Sequence, residues 1–314
     1  MKLWEKLAQM TNNEYHIPVL FHESLDALQI EADDIVIDVT YGGGGHSSEI
    51  LNRLGEDGIL LAFDQDDDAL ANKIDDERLL FANSNFRFMI NFVRYYDIMG
   101  VDSILADLGV SSHQFDAGDR GFSIREEGVL DMRMNQNASL TAHQVVNQYP
   151  DKELYRVFNS YADLNNVHKV VQTILKARRE KLIETTKELV DLMRELVKGN
   201  KQTQFLAQVF QAIRIEVNDE MAALMDFLEQ SVQVLRPGGR LVVIAYHSIE
   251  DRLVKNFMRS GNFTGELNKD GFGRVLKPLN VVNKKPIIPT DEEIVRNPRA
   301  RSAKMRIAET EEEE

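Results

Sequence analysis

The sequence predicts an α/β fold, a mostly parallel, doubly wound sheet of Rossmann-like type interrupted by an all-helical insertion. Three observations carry that prediction. The β-branched run Ile35-Val36-Ile37-Asp38-Val39 breaks into four consecutive glycines, Gly42 to Gly45, ahead of a helical pattern. This is the strand, tight turn and helix start of a nucleotide-binding unit. A second apolar run, Ile59 to Phe63, closes on Asp64, 19 residues past Gly45, the spacing at which such units set a carboxylate against ribose hydroxyls. From Thr141 to about Asn200, apolar residues recur three and four apart with no strand signal between them.

In order along the chain, Asn12 to His16 leads into the helical pattern Leu20, Ser24, Leu25, Leu28, read as a helix over the entrance to the first strand. After the glycines, Ile50, Leu51 and Leu54 share one helix face, which Gly55 and Gly58 end. Glycines let a ligand approach the main chain, and the first N–H groups of the following helix attract negative or polar groups. The strand ending at Asp64 is followed by a helix from about Asp66 to Ile74, a strand around Leu79 to Ala82, a helix from Phe88 to Tyr96, and a fourth strand, Val101 to Asp107. A loop holding Leu108-Gly109-Val110-Ser111-Ser112 and Asp119-Arg120-Gly121-Phe122-Ser123 is too long for a mere connection and reads as a binding loop. The insertion is placed at 117–207, with helices in Glu153 to Phe158, Val167 to Arg179 and Thr186 to Val197; residues 1–116 and 208–314 form the discontinuous sheet domain. Alternation resumes with Phe205 to Val217, a helix from Glu220 to Leu235 stopped by Pro237-Gly238-Gly239, the strand Arg240 to Tyr246, a helix near Glu250 to Met258, and antiparallel strands around Leu276 to Val282 and Ala303 to Ala308.

Composition bounds the function. With 314 residues, 43% of them apolar, the chain holds one large domain or two with a real core. No window approaches the ~20 apolar residues of a membrane span, and Met1 to Lys6 lacks the apolar stretch of a signal peptide. The absence of cysteine removes disulfides and thiolate metal sites, and the expected location is cytoplasmic. A net charge of −14 argues against nucleic acid, because Lys and Arg supply most non-specific affinity. The charge is uneven, however: Lys169 to Lys201 holds nine basic residues against five acidic, and Lys277 to Arg306 eight against three. The first stretch reads equally as a solvated helix face.

Asp38, Asp64 and Asp107 all fall at carboxyl ends of predicted strands, where doubly wound sheets bind ligands. Carboxylates around one crevice suit ribose hydroxyls and a cation better than a pyrophosphate, which points to S-adenosylmethionine over NAD. The dinucleotide fingerprint also fails at its third position, where Ser47 stands. A metal site is the competing use of paired acids, but these lie on different strands without clustered histidine, so no metal is expected.

Seven ordered blocks then carry a resemblance: Asp38 to Ser47, Asp107 to Ser112, Arg120 to Ser123, Leu130 to Met134, Phe210 to Asn218, His247 to Arg252, and Asn297 to Ser302. Together they resemble the RsmH (MraW) family, bacterial methyltransferases that modify the exocyclic N4 of a cytidine in small-subunit (16S) ribosomal RNA with S-adenosylmethionine. The resemblance runs from about His16 to Ala308 and implies a class I methyltransferase fold. It implies cofactor contacts from Gly44, Gly45, His46, Asp64, Phe86, Asp107 and Gln114, and substrate contacts from Arg214, Asn218, His247, Arg252, Arg299 and Arg301. Phe86 also reads as core, His46 as a helix-start residue and Gln114 as a loop side chain. Tyr41 departs from the phenylalanine usual in the family.

The chemistry follows from the substrate. Cytosine's exocyclic amine is a poor nucleophile because its lone pair is delocalised, so the enzyme must align it with the methyl group and accept an N–H hydrogen bond as charge develops. Asp107 is the candidate catalytic acceptor, a loop carbonyl near Val110 to Ser112 the alternative, and His247 is either a base or a structural histidine. The target base must leave its stack. The expected partner is 16S ribosomal RNA at the decoding region, within the small ribosomal subunit, with no membrane or metal. A DNA or other RNA amino-methyltransferase, and a non-catalytic RNA-binding assembly factor, are the alternatives.

Overall fold

The computed structural model describes residues 18–111, 114–115 and 118–312. The lead-in Asn12 to His16 and the expected boundary at 116/117 lie outside the described residues. In chain order the first half comprises α1 (Phe21–Leu28), β1 (Ile35–Asp38), α2 (Gly45–Arg53), β2 (Ile59–Asp64), α3 (Asp67–Leu70), β3 (Leu79–Asn83), α4 (Met89–Tyr95) and β4 (Val101–Asp107). Helices α5 (Ala142–Gln148), α6 (Asp151–Tyr161), α7 (Val167–Glu180), α8 (Thr186–Arg194) and α9 (Gln202–Asn218) follow. The chain closes with α10 (Glu220–Val234), β5 (Leu235–Ala245), α11 (Ser248–Ser260), β6 (Asn280–Val281), α12 (Asp291–Arg296) and β7 (Lys304–Glu309).

The strands form one seven-stranded sheet in the order β3-β2-β1-β4-β5-β7-β6. The first five are parallel, and β7 runs antiparallel to both β5 and β6. Because successive strand residues point to opposite faces, each apolar run feeds two cores. Ile37, Leu61, Phe63, Ile104 and Val243 pack on one face against Met89, Leu224, Phe227 and Phe257 of the covering helices. Val36, Leu60, Leu105, Val242 and Ile244 pack on the other against Leu25, Leu28, Ile50 and Leu51. Helices on both faces match the doubly wound arrangement that the alternation of strands and helices predicts.

The helical segment has its own core, in which Val145, Leu154, Phe158, Ile174, Leu189, Val209 and Ile213 meet. Capping boxes at Thr141 with Gln144 and at Thr185 with Glu188 start α5 and α8. The boundary expected at 207/208 falls inside α9. Leu206, Phe210 and Val217 of that helix all belong to the helical core, so the chain returns to the sheet only after Asn218.

Three local expectations differ. The helix expected to reach Ile74 stops at Leu70, because the Tyr41 hydroxyl donates to the Asn72 carbonyl at 2.8 Å and accepts the Ile74 N–H at 3.0 Å, drawing the chain out of helical geometry. The strand expected from about Leu276 shrinks to Asn280–Val281, since Pro278 offers no N–H and the Leu276 N–H turns back to Asn268. Residues Phe86–Phe88 form a 3₁₀ turn ahead of α4.

Candidate functional site

The centre of the parallel sheet sets the site. Neighbouring β1 and β4 are reached from opposite directions along the chain, which opens the crevice where such folds bind ligands. Asp38 and Asp107 end these two strands, and Asp64 ends β2.

Asp38 does not face the crevice, contrary to the expectation of three lining carboxylates. It is fully buried; it accepts from the Thr40 N–H (3.0 Å) and hydroxyl on one oxygen and from the Ser47 hydroxyl (2.7 Å) on the other. Burial raises its pKa, and these hydrogen bonds oppose the rise. Thr40 in turn accepts the Asp107 N–H at 2.7 Å, so Asp38 ties the glycine loop, the start of α2 and the end of β4 together.

The glycine loop is shaped from behind. Gly44 caps α2 at φ +76°, and a Cβ there would strike the Tyr41 hydroxyl at 2.7 Å; one on Gly45 would strike Pro18 at 2.6 Å. The Tyr41 hydroxyl is therefore a strut between this loop and the 72–74 turn. Asp64 accepts the Gly42 N–H (2.8 Å) and the Asp66 N–H (2.9 Å), one on each oxygen. Burial pushes its pKa up to about 6 against those two bonds. Each Asp64 oxygen retains acceptor capacity suited to a hydroxyl.

Beyond Asp64 lies a cavity lined by Gln65, Asn85, Phe86, Leu108, Gly109, Met221 and Leu224. The Phe86 ring stands edge-on to Phe227, 5.6 Å between centroids, and Asn85 donates to Gln65 at 2.8 Å. An apolar wall with two amides fits a flat heteroaromatic ring. Gln114 is buried close by, donating to Asp66 (2.7 Å) and accepting the Ser111 N–H (3.1 Å). Asp66 also receives Arg120, which reaches Asp68 at 2.8 Å and the carbonyls of Arg133 and Met134 at 3.0 Å each. This node fastens the start of the long loop and the Met132–Met134 turn beside Asp64.

At the end of β4, Asp107 Oδ1 accepts the Tyr246 hydroxyl at 2.7 Å, while Oδ2 carries no hydrogen bond among the described residues. His46 Nδ1 stands 4.0 Å from that free oxygen. Burial, followed by repulsion from Asp38 and Glu250, pushes the Asp107 pKa up to about 7, with the Tyr246 bond pulling the other way. Burial lowers His46 to about 4, so its imidazole is neutral near pH 7, and its Nε2 is buried without a partner among the described residues. The site thus offers an orphaned polar atom, two carboxyls with free lone pairs, and an apolar slot, which fits a nucleoside bearing a positively charged tail.

The six residues expected to touch substrate divide. Arg214 is held in a bidentate pair by Glu220 (both contacts 2.8 Å), and Asn218 is spent on Met132, Met134 and Arg214 main-chain atoms, so both fasten α9 to the site. His247 caps α11, its Nδ1 accepting the Glu250 N–H at 3.3 Å. Its Nε2 lies 3.0 Å from Glu250 Oε1, off the line of a good hydrogen bond. Glu220, His247 and Glu250 bring ligand-capable atoms within 4.8 Å of one another. A cation there would compete with the Arg214 guanidinium for Glu220. Burial raises the Glu250 carboxyl, but His247, Arg214 and main-chain N–H groups outweigh it and hold the pKa below the ordinary value. His247 and Arg301 line an open groove with Tyr246, Ile288, Pro289 and Lys304. Arg252 is exposed, and Arg299 lies over the Phe115 ring at 4.9 Å.

Sequence reasoning missed Tyr246, Asp66 and the Gln65–Asn85 pair. The first was detectable as the residue closing an apolar strand, the position already used for the three acids; the others depend on side-chain pairing that no spacing reveals.

The MraW methylase family matches the chain over residues 13–311. A protein of Parabacteroides distasonis named ribosomal RNA small subunit methyltransferase H is 56% identical over 296 residues, covering 94% of this chain and 97% of that relative. Proteins of the same name from Bacteroides fragilis and Flavobacterium johnsoniae are each 53% identical, covering 94% and 95% of this chain and 97% and 99% of their own length.

Proposed function

The chain belongs to the MraW methylase family, and from that premise we propose that it transfers the methyl group of S-adenosylmethionine to the exocyclic N4 of a cytidine in 16S ribosomal RNA. The target lies at the decoding region within the small ribosomal subunit, in the cytoplasm. The names of the relatives support the RNA and the subunit; among the described residues no helix is long and apolar enough to cross a membrane. One observation carries the chemistry: a half-buried carboxyl, Asp107, ends the central strand beside the glycine loop with one oxygen pinned and the other without a hydrogen bond among the described residues.

S-adenosylmethionine supplies an electrophilic methyl group on a sulfonium. Asp64 would hold the ribose hydroxyls, the Phe86–Leu108–Leu224 slot with Gln65 and Asn85 the adenine, and Gly44, Gly45, His46 and Gln114 the wall around the methionine end. A positive charge beside Asp107 favours its ionised form, so a carboxyl that otherwise titrates near 7 becomes a ready acceptor. Its free oxygen takes the amine N–H hydrogen bond, which raises electron density on N4 and then receives the proton as the N–C bond forms. Neither a covalent nucleophile nor a metal is part of this route.

The helical segment is the substrate-recognition part of this reading. Its basic residues between Lys169 and Lys201, together with Lys284, Lys285, Arg299 and Arg301, supply phosphate contacts, and the groove holding His247 and Arg301 leads the flipped nucleotide past Tyr246. With a net charge of −14, free RNA is a poor ligand and a preformed particle the better substrate. The test is methyl transfer from labelled S-adenosylmethionine to unmodified small subunits and to the same RNA stripped of protein. Label on a cytosine amine, faster on subunits, is expected. Label elsewhere refutes the function, and equal or faster labelling of stripped RNA refutes the particle preference.

A further inference from the structure

The route above uses the pinned Asp107 oxygen and assigns no role to the group that pins it, the Tyr246 hydroxyl. It follows β5 directly, its N–H is clipped to Glu250 Oε2 at 2.9 Å, and its hydroxyl donates to Asp107 Oδ1 at 2.7 Å across the β4–β5 boundary. We propose that Tyr246 is a positioning residue: its hydroxyl pins Asp107 through Oδ1, so that Oδ2 alone faces the reacting amine and stays available as the proton acceptor. The proposal rests on the methyl-transfer reading of the same site.

The geometry supports this in three ways. First, the two strand ends are in fixed register, Asp107 opposite Ile244, so a side chain two residues past Ile244 reaches the Asp107 carboxyl without moving the main chain. Second, the hydroxyl is the single hydrogen-bond donor to the Asp107 carboxyl among the described residues; the other polar groups facing it are His46 at 4.0 Å, Asp38 behind the glycine loop, and Glu250 from α11. His46 is neutral near pH 7 and both acids disfavour a second negative charge, so the phenol is what favours ionised Asp107 within the protein. Third, the phenol remains protonated and able to donate, because burial, and then Asp107, Glu250 and Glu293, raise its pKa well above the ordinary value.

As the amine gains its methyl group, the N4–C bond forms, the C–S bond breaks with its electron pair going to sulfur, and one N4 proton moves to Asp107 Oδ2. Tyr246 transfers nothing. By donating to Oδ1 it weights the carboxylate toward ionisation and restricts rotation about the Cβ–Cγ bond, which would otherwise interchange the two oxygens.

The experiment uses full-length Tyr246→Phe, which keeps the ring and deletes one atom. Methyl transfer to unmodified small subunits is followed from pH 5.5 to 9, alongside an NMR titration of ¹³C-labelled aspartate carboxyls in the ligand-free protein. The variant should lose about tenfold in kcat with KM for S-adenosylmethionine nearly unchanged. The acid limb of its pH profile and the Asp107 titration should both move up by roughly one pH unit, as expected for losing a hydrogen bond to a charged acceptor. A second variant carrying 3-fluorotyrosine at 246, a stronger donor, should move both the other way. An unmoved Asp107 titration, or a moved titration with an unchanged rate profile, overturns the positioning role. Absence of transfer by the unaltered protein, with the titration shift intact, overturns the methyl-transfer reading instead.

Discussion

Replacing Asp107 by Asn should stabilise this protein while disabling it, and the gain should depend on pH in a way that the structure fixes. The Asp107 carboxyl is raised from 3.8 to about 7, chiefly by burial, and its side chain is 20% exposed. The roughly three pH units between those values correspond to about 4 kcal/mol at 1.36 kcal/mol per unit. Residual solvent contact reduces this to about 2 kcal/mol. The sign follows from proton binding: between pH 3.8 and about 7 the folded state holds a proton that the unfolded chain has released, so stability falls as pH rises through that window. Asn carries no charge, and its carbonyl oxygen still accepts the Tyr246 hydroxyl, so the packing is kept. Urea denaturation at pH 8.5 should therefore show Asp107→Asn more stable by about 2 kcal/mol, shrinking to roughly half of that at pH 5.5, which is still above the isoelectric point near 5.1. Methyl transfer should fall at least about a hundredfold at both pH values, the usual cost of losing a proton acceptor. A variant that is destabilised, or equally stabilised at both pH values, would refute the claim that Asp107 is held in the fold at an electrostatic cost.

Asp64→Ala removes two hydrogen bonds to a charged acceptor, each worth roughly 1.5 to 3 kcal/mol, and also releases the Gly42 N–H, so calorimetric titration should show S-adenosylmethionine affinity reduced at least tenfold; unchanged affinity would remove Asp64 from the site. Arg120→Ala strands the buried Asp66 carboxylate and frees two carbonyls, and urea denaturation should show a loss of about 3 to 5 kcal/mol; a loss under 1 kcal/mol would mean the node does not hold the loop. Neutralising exposed Lys176 or Lys285 should weaken RNA binding about equally for all sequences and lower the salt slope by close to 0.9, leaving cofactor titration unaltered; sequence-dependent loss would mean base contacts instead.

Much of this architecture is legible in the sequence alone. Hydrophobic runs ending in acids, four glycines, and a long helical stretch are local signals, and local signals survive translation into strands, turns and helices. Asp64 and Asp107 were placed at strand ends because an apolar run closing on an acid marks where a buried strand stops, and a parallel sheet puts those ends at one edge. The helical starts read at Thr141 and Thr186 fall where the structure has capping boxes, a local signal that the reading did not use. The 207/208 boundary falls inside α9, a single helix that packs mostly within the helical core, with Ile215 turned to Met221 and Ile249, a fact of partners rather than of sequence periodicity.

The sequence by itself therefore determined the fold class, the strand-end carboxylates and the glycine turn, each written in residues adjacent along the chain. Only the tertiary structure decided what those groups do. It turned Asp38 inward onto Thr40 and Ser47, spent Arg214 on Glu220 and Asn218 on main-chain atoms, and brought Tyr246 onto Asp107 across 139 residues of chain. The physical reason is that the role of a buried polar group is set by which donor or acceptor satisfies it, and those partners come from strands and helices far apart in sequence.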